Sequence, residues 1–62
     1  MNAHTPPLLM DLAQQCRAIV IRAREDLGEI PRAALLDLVA DNIPDVPLRT
    51  LQDALVCAGV GY

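Results

Sequence analysis

Few side chains in this 62-residue chain could do covalent or acid–base chemistry. It has one histidine, His4, two cysteines, Cys16 and Cys57, and neither serine nor lysine. A Cys–His dyad would need His4 to reach a thiol, and His4 lies in an N-terminal stretch, residues 1–5, that reads as a mobile tail. Cys16 falls on an apolar stripe, where a free cysteine acts as a small hydrophobe. Cys57 is the more exposed thiol and could cross-link on oxidation. The two are too far apart in sequence for a CxxC motif or a zinc knuckle, and His4 has no second ligand at local spacing. Asp37 and Asp41 are one helical turn apart, a spacing that can hold a cation or pair as acid and base. It is more often a solvated helix face, and is read as one here. The three glycines, Gly28, Gly59 and Gly61, each fall near a helix end, so no phosphate-cradling loop exists. An enzyme needs a positioned nucleophile, acid, base or metal. Without those parts the chain is read as non-enzymatic, with no cofactor, no metal and no small-molecule substrate.

The elements that would position these residues are helical. Thr5 is a candidate N-cap, and Pro6 or Pro7 suits a first helical turn, where a missing amide costs no hydrogen bond. The first helix is expected to run to Leu27 and stop at Gly28. Leu9, Leu12, Cys16, Ile19, Val20, Ala23 and Leu27 recur at helical spacing and form its core stripe. Met10 and Ile21 fall off that stripe, beside Gln14 and Arg17; scattered surface apolar residues are ordinary, and the sharper reading is a second contact face for a dimer or a partner. Pro31 fits the first turn of a second helix, with Glu29 near its positive dipole end and Leu35, Leu36, Val39 and Ile43 as its apolar stripe. Pro44 ends that helix, because the residue before a proline is pushed out of helical geometry. Asp45 is expected to cap a third helix and Pro47 to start it. Leu48, Leu51, Ala54, Leu55 and Ala58 would face inward, Arg49, Gln52, Asp53, Val56 and Cys57 outward. Gly59 is the expected stop, with Val60 folding back onto the last turn. The expectation is an all-α fold: one small three-helix domain over residues 6–62, with a long N-terminal helix and a C-terminal helical pair.

Composition narrows the role. The chain is 53% hydrophobic yet has no Phe or Trp and a single Tyr, so its core must be aliphatic. That lack of aromatics argues against single-stranded nucleic acid, which binds by base stacking. Eight acidic residues against five arginines give a net charge of −3, a poor match for a phosphate backbone. The bias toward Ala, Arg, Asp and Leu points to a GC-rich bacterial or phage genome. No signal peptide and no apolar run near membrane-spanning length is visible, so a cytoplasmic protein with reduced thiols is expected. A chain this short buries only about 60% of its unfolded surface, which favours self-association or docking.

Residues 32–59 carry a resemblance. IPRAALLDLVADNI, then PDVP, then LRTLQDALVCAGVGY read as two helices about a tight turn, similar to the helix-turn-helix and winged-helix superfamily. In that family the second helix enters the DNA major groove. The resemblance would place Arg49, Thr50, Gln52, Asp53 and Val56 toward the groove, with Arg49 and Gln52 able to read base edges. It departs from the family in a turn with two prolines and no glycine, and in ending where a β-wing would begin. Arg17, Arg22, Arg24 and Arg32 could add a backbone-contacting strip, although Arg22 lies on another side of its helix from Arg17 and Arg24. Solvated arginines, some paired with Glu25, Asp26 or Glu29, are the favoured reading.

The sequence therefore leads to a small helical interaction module, a protein-binding regulator, inhibitor or adaptor that acts as a homodimer or docked to a protein partner. The expected partner-binding residues are Met10, Arg17, Ile21, Arg49, Gln52, Asp53 and Val56. A minimal DNA-binding regulator is the alternative, disfavoured by the acidic charge. No membrane partner is expected.

Overall fold

The computed structural model describes residues 6–62, with side chains from residue 9 onward. The expectations placed on residues 1–5, namely the tail, the reach of His4 and the Thr5 cap, lie outside the described residues. Among the described residues the chain forms three α-helices and no strand: α1 Pro6–Leu27, α2 Arg32–Asn42 and α3 Leu48–Ala58. At about 1.5 Å of rise per residue, the 22 residues of α1 make it twice as long as α2 or α3, at 11 residues each.

The helix ends follow from local chemistry, with two adjustments to the sequence reading. Pro31 and Pro47 are the N-caps of α2 and α3 rather than their first helical residues, each with φ −58° and ψ 145°. Neither helix has a side-chain cap, so Asp45 does not cap α3. The Pro31 carbonyl accepts from the Ala34 amide at 2.9 Å, which satisfies one early donor of α2, and the Pro47 carbonyl accepts the first regular helical bond of α3 from Leu51 at 3.1 Å. A proline can hold this position because its missing amide proton would have had no helical partner. At the other end of α2, Ile43 leaves helical geometry at φ −132°, as a residue before proline must. The Asn42 side-chain amide also donates to the Leu38 carbonyl one turn back, at 2.8 Å. Gly59 closes α3 in the left-handed conformation at φ 67°, which its missing Cβ permits.

Arg24, near the end of α1, reaches the chain just beyond α3, and Arg32, at the start of α2, reaches the last residue. The C-terminal ends of α1 and α3 therefore share one end of the bundle with the N-terminus of α2. Each helix touches both others, and α1 packs more extensively on α3 than on α2.

Leu12, Cys16 and Val20 from α1, Leu35 and Val39 from α2, Leu51, Ala54 and Leu55 from α3, and Val60 form one aliphatic core. Among the described residues no polar or charged side chain is buried. Val60 does fold back, at 6% exposure. Ala13, outside the expected stripe, is buried too, and its small side chain widens the contact face of α1.

Two leucines assigned to core stripes lie outside the core, and Ala23, also assigned there, is half-buried and not part of the core cluster. Leu27 is 75% exposed and Leu48 is 57% exposed. Leu27 is the last residue of α1, and the half-buried Ile30 packs against the core in the following loop. Leu48 is the first residue of α3, and helical side chains lean toward the N-terminus, which carries it off the end of the helix. Leu27 has the phase of the α1 core and lacks a neighbour opposite it; Leu48 stands at the edge of the α3 core stripe, on the side of Gln52.

Candidate interaction surface

Met10, Gln14, Arg17 and Ile21 are all exposed on α1. At about 100° per residue, Met10, Arg17 and Ile21 fall within roughly 40° of each other, on a line about 16 Å long. The line lies well around the helix from Leu12, Cys16 and Val20, so packing of the core leaves it free. Exposure of 61% at Met10 and 44% at Ile21 leaves apolar surface in water at both ends, with the polar Gln14 and Arg17 between.

The outward face of α3 carries the rest of the expected set. Arg49, Gln52, Asp53, Val56 and Cys57 are all exposed, as the periodicity required. Leu48, Gln52 and Val56 follow one another at four-residue steps, so the displaced Leu48 joins the 66% exposed Val56 in an apolar line broken by Gln52. Burial thus separates the seven expected partner-binding residues from the core. It does not place the α1 set and the α3 set on one continuous patch.

The arginines divide in a way the sequence did not reveal. The Arg24 guanidinium donates through Nη2 to the Val60 carbonyl oxygen at 2.8 Å. The Arg32 Nε donates to the Tyr62 main-chain oxygen at 3.1 Å, and its guanidinium carbon sits 5.8 Å from the centroid of the Tyr62 ring, within cation–π range. Both bonds tie the last four residues, Gly-Val-Gly-Tyr, to α1 and α2. An apolar residue between two glycines after a helix stop was the available signal for a folded-back tail. Nothing in the sequence named the two arginines as its partners. The strip considered for DNA phosphates, Arg17, Arg22, Arg24 and Arg32, therefore has two of its members engaged with the chain's own backbone.

The chain matches no known family model, no curated protein and no solved structure. The helix-turn-helix resemblance thus rests on its own residues, and the surface is read from its chemistry alone.

That chemistry is sparse. Among the described residues no group of three or more His, Cys, Asp or Glu side chains gathers in a metal-holding arrangement, and no helix is long and apolar enough to cross a membrane. Cys16 and Cys57 are both free thiols, Cys16 buried and Cys57 exposed. Burial pushes the Cys16 thiol pKa above its ordinary value of 9.0, because the core disfavours the thiolate. A neutral, enclosed sulfur is a packing group; the reactive form of cysteine is an accessible thiolate.

A shallow groove of about 630 Å³ opens along the outer side of α2. Leu27, Ile30, Ala34, Leu38, Asp37 and Asp41 line it. It gathers the exposed Leu27 and the carboxylate pair of α2, which no local sequence signal linked.

Proposed function

We propose that the chain is a small non-enzymatic helical module that works by binding protein, as a regulator, inhibitor or adaptor, and that pairs with a second copy of itself. The observation that carries this reading is the exposed α1 line from Met10 to Ile21. In an antiparallel pairing of two α1 helices, the register that sets Met10 against Ile21 also sets Gln14 against Arg17. Apolar then meets apolar at both ends, and the Arg17 guanidinium can donate to the Gln14 side-chain oxygen near the axis. A two-fold contact of this kind uses the same patch on both copies. The small aliphatic core and the net charge of −3 give further support.

Sedimentation across a concentration series tests the reading. The wild type is expected to move from monomer to dimer mass. Ile21→Asp is expected to raise the dissociation constant by about 100-fold, since it places a carboxylate in an apolar contact, while leaving helical circular dichroism intact. A chain that stays monomeric at every soluble concentration removes the self-pairing. The DNA alternative draws on the exposed Arg49 and Gln52, and is opposed by the engagement of Arg24 and Arg32. Salt-sensitive binding to duplex DNA that weakens in Arg49→Ala would favour it instead.

A further inference from the structure

We infer that the groove beside α2 receives a basic amphipathic helix of the partner protein, an assignment that rests on the protein-binding reading above. Its apolar side is made by Leu27, at 75% exposure, with the half-buried Ile30 and Leu38. Ala34 lines it too, and so small a side chain lets a second helix approach closely. Asp37 and Asp41 line the same groove, both exposed and one helical turn apart, so their Cβ atoms are about 6 Å apart. No arginine lines it. Elsewhere the surface mixes its charges: the smaller depression between α1 and α2 is lined by Arg22 together with Asp26. The lining of the α2 groove is thus apolar with acidic charge alone, although Arg32 lines the next depression together with Asp37, and an acidic lining favours a cationic partner.

The complement is specific. A helix laid in the trough contributes one apolar residue per turn toward Leu27, Ile30 and Leu38, the usual spacing of helix-in-groove recognition. Lysines or arginines four residues apart on its flank then stand opposite Asp37 and Asp41. An acidic helix is repelled, and an uncharged one forgoes both ion pairs. A second copy of this chain fits less well, because its α1 line offers a single cation, Arg17, between Met10 and Ile21. The trough thus serves a different occupant from the self-pairing face.

Fluorescence anisotropy decides the matter, with labelled synthetic helices of about 18 residues. One carries a leucine stripe and lysines four residues apart, another has those lysines replaced by glutamate, and a third keeps the lysines without the leucine stripe. The first is expected to bind saturably and more weakly as salt rises. Asp37→Asn with Asp41→Asn, both at exposed positions, is expected to weaken it about 10-fold, and Leu27→Gln to weaken it at least as much. The same peptide should bind the Ile21→Asp chain as tightly as the wild type, which separates this site from the self-pairing face. The assignment is overturned by absence of saturable binding, by equal binding of the glutamate or stripe-free peptide, or by insensitivity to the Asp37 and Asp41 changes. Sedimentation of the same samples shows whether self-association survives, so failure of the groove and failure of the dimer give different results.

Discussion

Cys16 shows how far one side chain's behaviour is set by its surroundings. Its sulfur is in the core, and its thiol pKa is raised by loss of solvation. A group whose folded pKa lies above its unfolded value contributes full stability below the unfolded pKa, here 9.0, and loses it as pH climbs toward the folded value. Urea unfolding is therefore expected to show stability falling as pH rises past 9.0, and Cys16→Ala is expected to remove that component. Arg24 makes the opposite case, an exposed side chain whose role is structural. Arg24→Ala leaves the Val60 carbonyl without its charged donor and is expected to cost about 1–2 kcal/mol, with hydrogen exchange rising first in the residues after Gly59. An unchanged unfolding midpoint and unchanged exchange would show that the tail is held by the burial of Val60 alone.

At the scale of elements, the helices were legible because three local signals agree: apolar spacing near 3.6, prolines at helix starts and glycines at helix stops. Prolines marked where α2 and α3 begin to within one residue, since their fixed φ suits a helix entrance. The stripes were legible in their middles and not at their ends. Leu35, Val39, Leu51 and Leu55 have helices opposite them, whereas Leu27 and Leu48 lie at helix termini where coverage depends on the neighbours' lengths. That difference is measurable. Leu55→Ala is expected to cost about 2–5 kcal/mol, because it opens a cavity in a closed core, while Leu48→Ala is expected to cost less than about 1 kcal/mol. Equal losses at both positions would mean that Leu48 is covered in solution, for instance by a second copy.

At the scale of the whole molecule, one shared aliphatic core joins a long helix and two shorter ones. Its small size leaves a narrow margin of stability, which pairing would widen by mass action. The thermal midpoint is accordingly expected to rise with protein concentration in the wild type and to become independent of it in Ile21→Asp, as followed by circular dichroism. The candidate surface was legible to the extent that exposure follows helical phase: Met10, Arg17, Ile21, Arg49, Gln52, Asp53 and Val56 all lie outside the core. The α2 groove was not legible, because Leu27 and the Asp37–Asp41 pair come together only through the turn between α1 and α2.

By itself the sequence determined the helical class, the starts of α2 and α3 to within one residue, the aliphatic character of the core and the outward placement of the polar residues, because each depends on contacts within a few residues along the chain. Tertiary structure decided what depends on distant residues meeting. It tied Arg24 and Arg32 to the C-terminal residues, left Leu27 and Leu48 uncovered, and set an acid-lined apolar trough on the back of α2. Helical periodicity fixes the direction in which a side chain points, and only the packed fold supplies what stands in that direction.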